Sequence, residues 1–96
     1  MDVINNVIDQ QFEMEVDGEK AFIDYEMKGD KIQLNYTQVP KSMKGKGIGS
    51  KLADQTFELI EGMDLKIIVE CKFIHSWLKK NPEKKEITVD PQNSDD

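Results

Sequence analysis

The sequence contains a single cysteine, a single histidine and no long apolar run. One cysteine excludes an internal disulfide, and one histidine leaves no plausible set of zinc ligands, so we expect no metal site. No apolar stretch approaches the roughly 18 residues that a membrane-spanning helix requires. Residues 1–6 also lack the basic start and apolar core of a signal peptide. These absences predict a cytoplasmic protein that makes no contact with a membrane.

The composition is that of one small globular domain. Hydrophobic residues make up 38% of the 96 residues and charged residues 33%. The formal net charge of −6 argues against nucleic acid as a partner, because binding to phosphate backbones needs a broad basic face. We predict a flexible lead-in over residues 1–10, one domain over residues 11–89 and a disordered acidic tail over residues 90–96.

Alternating apolar residues predict three strands between residues 12 and 36. The alternation runs over residues 12–16, 21–27 and 32–36, with Tyr25 and Tyr36 on the inward side. Turn residues separate the three runs, and the first turn is the Asp-Gly pair at residues 17 and 18. The pattern therefore predicts an antiparallel three-stranded meander.

Helical spacing begins after the third strand. Apolar residues recur every three or four positions from Ile48 to Met63, and Gly62 is predicted to close this helix with a left-handed cap. Residues 65–69 are a β-branched run typical of a buried parallel strand, and residues 73–80 predict a short helix. The fold class is thus α/β: a meander, then a βαβ crossover, then a short C-terminal helix.

A glycine-spaced, lysine-rich loop connects the third strand to the first helix. Between Lys41 and Lys51 there are four lysines and no acidic residue, although the chain as a whole is acidic. Alternating glycines leave backbone N–H groups unshielded, and a helix N-terminus adds further donors and a positive dipole end. Pro40 removes a backbone donor and predicts that strand pairing opens there. We interpret the loop as a cradle for cofactor phosphates; the alternative is a flexible turn with a solvated charge run.

Two common phosphate-binding motifs do not match this loop. A P-loop requires Gly-Lys followed directly by Ser or Thr, and that order is absent. A dinucleotide-binding fingerprint needs its third glycine at position 50, which is serine, although Glu70 after the next strand would suit a ribose-binding acid.

A third pattern matches better. The segment from Lys44 to Gly49 has the spacing of the pyrophosphate loop in the GNAT acetyltransferase superfamily. Over roughly residues 12 to 85 the chain resembles the small, single-domain GNAT-like family of predicted acetyltransferases, through blocks that occur in the same order: Thr37-Gln38-Val39-Pro40, Lys44-Gly45-Lys46-Gly47-Ile48-Gly49, Leu65-Lys66-Ile67-Ile68, Cys71-Lys72-Phe73 and Asn81-Pro82-Glu83.

This resemblance implies a GNAT-like mixed sheet and a CoA-dependent N-acetyltransferase. Acetyl-CoA would donate an acetyl group to an amine, either a protein or peptide lysine or a small amine. Val39 would pair with the pantetheine arm through its backbone. The pyrophosphate would be held by the residues that follow: Lys44, Gly45, Lys46, Gly47, Ile48, Gly49 and Ser50.

Cys71 is the catalytic candidate, and the family has cysteine at this position. It lies between a buried strand and a helix start, where nearby N–H groups and Lys72 would favour a thiolate. The alternative is a small buried hydrophobic residue. His75 would face Cys71 if the helix began early enough, and Glu70 would suit a general base, but both are otherwise surface residues.

Two departures from the family keep other functions open. Lys44 stands where the superfamily has Gln or Arg, and Gln38 stands where the family usually has Glu. Because of Gln38 and the lack of a secure general base, a non-catalytic CoA or acyl-CoA sensor is an alternative, as is a small interaction domain whose loop binds nothing. The chain is too short for the helix pair that walls the acceptor site of larger GNAT enzymes. Without that helix pair, we expect the acceptor side of the site to be open. An open acceptor side suits a protein or peptide substrate, or a site completed by a second subunit, so we expect a monomer or a homodimer.

Overall fold

A computed structural model describes residues 2–89 of the chain, so the tail predicted over residues 90–96 lies outside the described residues. Six strands form one sheet in chain order. The strands are β1 (Ile4–Asn6), β2 (Gln11–Val16), β3 (Glu19–Lys28), β4 (Lys31–Gln38), β5 (Lys66–Val69) and β6 (Thr88–Val89). Helix α1 (Ile48–Gly62) connects β4 to β5, and helix α2 (Lys72–Lys80) follows β5. Short 3-10 turns cover Lys41–Met43 and Pro82–Ile87.

The sheet is mixed, which confirms the predicted fold class. Strands β1 to β4 pair antiparallel, whereas β4, β5 and β6 pair parallel. The antiparallel part has four strands instead of the predicted three, because β1 forms within the segment predicted as a flexible lead-in. Distant contacts order that segment: the Val3 N–H donates to the Gln55 side chain at 2.9 Å, and the Tyr25 hydroxyl donates to Asn5 at 2.7 Å. No local periodicity in residues 1–10 encodes these contacts.

One hydrophobic core joins the sheet to both helices. The rings of Phe57 in α1 and Trp77 in α2 lie with their centroids 4.8 Å apart, so the two helices pack directly on each other. The fully buried side chains with the largest volumes include Phe12, Phe57, Met14, Ile23, Ile32, Leu34, Leu52, Ile60, Ile67 and Ile74. Helix α1 ends at Gly62 as predicted, but the residue in the left-handed conformation is Asp64, with φ of 59°.

An irregularity between β3 and β4 changes which side chains face inward. Asp24 pairs with Tyr36 and Tyr25 pairs with Leu34, so Asn35 is an extra residue on β4. An extra residue of this kind reverses the alternation of the side chains that follow it. Tyr36 is therefore 52% exposed, while Tyr25 is buried. The inward orientation predicted for Tyr36 was wrong, because strict alternation does not anticipate the bulge.

Candidate active site

Strands β4 and β5 separate where the bulge lies. Their pairing runs from Lys31 opposite Lys66 to Leu34 opposite Val69, and a backbone hydrogen bond from Glu70 to the Leu34 carbonyl, at 3.0 Å, follows it. Beyond this point β4 continues beside β3, but it has no strand partner on its other side among residues 2–89. The opening therefore begins at the bulge and not at Pro40, where the sequence had predicted it. From residue 35 to Gln38, the edge of β4 that faces away from β3 is therefore open to an extended ligand.

A cavity of about 910 Å³ lies beside this opening. It is lined by the end of β4, the glycine loop, the first turn of α1 and one side of α2. The structure brings seven of the eight predicted cofactor-binding residues to this cavity: Val39, Lys44, Gly45, Gly47, Ile48, Gly49 and Ser50. Lys46 is the exception, since it is exposed but does not line the cavity. The binding roles of these residues stay a prediction.

Two glycines of the loop adopt a backbone conformation that favours glycine. Gly45 and Gly47 have φ of 81° and 75°, in the left-handed region that other residues rarely adopt. Gly47 is also the N-cap of α1, and its carbonyl accepts the first helical hydrogen bond, from Lys51 at 3.0 Å. No side chain caps this helix, and its first turn contains no acidic residue. The N–H groups of that turn are therefore available to an anion.

The third glycine has a different physical reason. Gly49 lies inside α1, and a Cβ added there would lie 2.7 Å from Cζ of Phe73. The close approach of the Phe73 ring, and not a positive φ, therefore favours glycine at this position. Sequence spacing alone does not separate this role from the roles of Gly45 and Gly47.

Lysines at the cavity have no ion-pair partner among residues 2–89. Lys41 and Lys44 line the cavity, and both are exposed. Neither these two nor Lys46 forms an ion pair within the described part of the chain. The chain contains no arginine, so the charged side chains that the cavity offers to a phosphate are lysine ammonium groups.

Helix α2 supplies wall residues that sequence reasoning did not assign to the site. Phe73, Ser76, Trp77 and Lys80 line the large cavity, and Trp77 does so while packed against Phe57. Trp77 is therefore both a buried core residue and a wall residue of the cavity. Its position in both the core and the cavity wall follows from the contact between α1 and α2, which local periodicity does not encode.

Cys71 lies at a second, smaller cavity of about 370 Å³. Its lining consists of Asn35, Tyr36, Thr37, Glu70, Cys71, Lys72 and Phe73. The thiol is buried, and its Sγ lies 3.0 Å from Oγ1 of Thr37. Tyr36, Thr37 and Phe73 line both cavities, so the two spaces adjoin at these side chains. The structure thus places the catalytic candidate next to the predicted cofactor cleft and not inside it.

The two other titratable candidates do not contact the thiol. The Nε2 atom of His75 lies 2.9 Å from the Val69 carbonyl oxygen, and His75 is exposed on α2. The interpretation of His75 as a surface residue is therefore confirmed, whereas the pairing of its ring with Cys71 is wrong. Glu70 is exposed at the rim of the smaller cavity and forms no ion pair with any described residue.

The fold and the site define a class. A mixed sheet whose β4 and β5 separate beside a glycine loop and a helix N-terminus is the architecture of a GNAT-type acyltransferase domain. The family model described as GCN5-related N-acetyl-transferase matches residues 11–87. The chain therefore belongs to the GCN5-related N-acetyltransferase family, whose members generally bind acetyl-CoA and use amine acceptors.

Comparison with individual proteins agrees with this assignment. Protein NATD1 of Xenopus tropicalis is 33% identical to this chain over 76 residues, which cover 76% of this chain and 70% of that protein. Protein NATD1 of Mus musculus and of Homo sapiens are also 33% identical over 76 residues, covering 69% and 67% of their lengths. Within residues 2–89 no helix has the length and apolar character needed to cross a membrane.

Proposed function

We propose that this protein binds acetyl-CoA in the large cavity and transfers the acetyl group to an amine. The observation that carries the proposal is the N-terminus of α1, which follows its N-cap Gly47 and opens into a cavity flanked by lysines that form no ion pair with residues 2–89. Such an arrangement offers backbone donors and positive charge to a diphosphate. The open edge of β4 beside it would pair with an amide-bearing arm.

Each part of the cavity has a role in this proposal. The backbone of Val39 would pair with the pantetheine arm, and residues 44–50 would hold the pyrophosphate through their N–H groups, with Lys41 and Lys44 supplying charge at the cavity. When bound, acetyl-CoA supplies a thioester whose carbonyl carbon is open to attack by a nucleophile. An amine enters from the smaller cavity, which adjoins the large one at Tyr36 and Thr37.

Cys71 is the proposed catalytic residue. Its thiol lies at the smaller cavity and is oriented by the Thr37 hydroxyl. In a direct route it would donate its proton to the departing thiolate of CoA as the amine bonds to the acetyl carbon, and the resulting Cys71 thiolate would take up the proton that the amine nitrogen loses. In a covalent route Sγ first bonds to the acetyl carbon while CoA leaves as the thiol, and the amine then displaces Sγ.

A CoA or acyl-CoA sensor without turnover is the second candidate function. Among the described residues that line the large cavity there is no aspartate, glutamate or histidine, the side chains that most often serve as general bases. Gln38, which stands where the family usually has Glu, accepts a hydrogen bond from Tyr36 at 3.4 Å. Binding without transfer would produce ligand-dependent stabilisation and no acetylated product.

Acetyl-CoA is expected to raise the thermal unfolding midpoint of the protein. A ligand that binds only the folded state at about 100 times its Kd adds roughly 2.7 kcal/mol of stability. Trp77 is the only tryptophan, and it lines the cavity, so its fluorescence provides a second measurement of binding. If saturating acetyl-CoA changed neither signal, both the transferase and the sensor would be excluded.

Gly47→Val is expected to weaken acetyl-CoA binding by about tenfold or more. A residue with a side chain loses about 1–2 kcal/mol in the left-handed conformation, and a β-branched one is especially disfavoured there. The loop would then leave the conformation that presents its N–H groups. Titration of the variant with acetyl-CoA, followed by Trp77 fluorescence, measures the change.

Gly29→Val is the matched control for this variant. Gly29 also has a positive φ, of 65°, but it lies in the turn between β3 and β4 and lines neither cavity. Both variants should lose a similar amount of stability, while only Gly47→Val should lose affinity. Equal affinities in the two variants would contradict the phosphate-binding role of the loop.

A further inference from the structure

We propose that Phe73 limits the length of the acyl chain that this protein accepts, so that acetyl is favoured over longer acyl groups. The proposal rests on the proposed function, because it presupposes that an acyl-CoA occupies the large cavity. It concerns the acyl donor, and it applies to a transferase and to a sensor alike.

The position of Phe73 between the two cavities is the first observation. It is one of three residues that line both cavities, together with Tyr36 and Thr37. During transfer, the acyl group is attached to CoA on one side and is attacked by the acceptor amine from the other side. It therefore lies where the cavities adjoin, and Phe73 is the one large, wholly apolar side chain among the three shared residues.

The packing of the ring is the second observation. Phe73 belongs to the first turn of α2, yet its ring reaches the first turn of α1, where Cζ and Cε1 lie 2.7 and 3.2 Å from the position of an added Cβ on Gly49. The ring thus spans the gap between the helices and is backed by the α1 backbone. It is also 39% exposed, so part of its surface remains available to a ligand.

These two observations predict selectivity by size. A ring held against α1 cannot retreat further in that direction, so an acyl chain longer than acetyl would need the space that the ring occupies. Apolar pockets discriminate by about 10- to 200-fold for one methylene group. We therefore expect the wild-type protein to bind acetyl-CoA at least about tenfold more tightly than butyryl-CoA.

Equilibrium binding of an acyl-CoA series tests the proposal without requiring turnover. The Kd values of CoA, acetyl-CoA, propionyl-CoA and butyryl-CoA would be measured through Trp77 fluorescence and calorimetry for the wild type, Phe73→Ala and Phe73→Leu. Phe73→Ala should lower the ratio of the butyryl-CoA Kd to the acetyl-CoA Kd by about tenfold. Phe73→Leu, which retains most of the apolar volume, should give an intermediate ratio even if the alanine variant folds poorly.

Leu59→Ala is the control, because Leu59 is 37% exposed on α1, similar to Phe73, and lines neither cavity. Its ratio of the butyryl-CoA Kd to the acetyl-CoA Kd should equal that of the wild type.

A Phe73→Ala variant that bound every CoA derivative with the same change in affinity would overturn the proposal, since the ring would then contact only the part that the ligands share. If the wild type bound no CoA derivative, the proposed function itself would fail. If the wild type bound acetyl-CoA but Phe73→Ala had the same ratio of the butyryl-CoA Kd to the acetyl-CoA Kd, only the inference about Phe73 would fail.

Discussion

Cys71→Ala is expected to lower the rate of acetyl transfer to an amine by about 100-fold or more. The thiol lies at the smaller cavity, which adjoins the large one, and a positioned proton donor typically contributes about 10²- to 10⁴-fold. The measurement is kcat with acetyl-CoA and an amine acceptor, at acetyl-CoA concentrations well above its Kd. Acetyl-CoA should still bind the variant, since Cys71 does not line the large cavity.

Cys71→Ser separates chemistry from structure. The serine hydroxyl can replace Sγ as the partner of Thr37, which lies 3.0 Å from the thiol, so the local hydrogen bond is conserved while the thiol is lost. Both variants should be slow if the thiol is catalytic, and only the alanine variant should be impaired if Cys71 is structural. Intact-mass analysis after incubation with acetyl-CoA distinguishes the two routes: an acetyl adduct that disappears in Cys71→Ala supports the covalent one.

Phe57→Ala is expected to reduce the free energy of unfolding by about 3–5 kcal/mol. Phe57 is fully buried, and its ring packs on Trp77 with the centroids 4.8 Å apart. Truncation removes apolar burial and leaves a cavity that the neighbouring side chains fill only partly. Small domains are stable by about 5–15 kcal/mol, so this loss is a large fraction of the total. Chemical denaturation monitored by circular dichroism measures it.

The site should also respond to this substitution. Trp77 lines the large cavity, so a shift of its ring into the space left by Phe57 would alter the cavity wall. We expect weaker acetyl-CoA binding in Phe57→Ala than in Leu59→Ala, whose side chain is 37% exposed and outside the cavity. A Phe57→Ala variant no less stable than Leu59→Ala would show that the contact between the helices contributes little.

Local patterns predicted most of the fold. Strands β2, β3 and β4 follow from alternation with a period of two, and α1 follows from apolar residues at helical spacing, because both periods arise from backbone geometry. The parallel pairing of β4 with β5 follows from the crossover helix between them. Strand β1 was not predicted, since its three residues are ordered by contacts with distant parts of the chain, such as that of Asn5 with Tyr25.

The candidate site was predicted only in part, because local patterns do not report contacts between distant parts of the chain. Residues of the glycine loop are contiguous, so their spacing was sufficient to place them together at a helix N-terminus. Residues of α2 were not assigned to the cavity, because a helical pattern identifies a buried face without identifying what that face borders. Phe73 illustrates this: its sequence block contributed to the resemblance, but only its packing on Gly49 shows why it lies between the cavities.

By itself, the sequence determined strands β2 to β5, helices α1 and α2 and the position of the glycine loop at the start of α1, because periodicity and glycine placement act over a few residues. Only the tertiary structure decided where β4 and β5 separate and which side chains meet there. A single extra residue, Asn35, reverses the alternation along β4, exposing Tyr36 and bringing Thr37 to Cys71. Thr37 and Cys71 are 34 positions apart, and a contact over that separation depends on the register of the whole sheet.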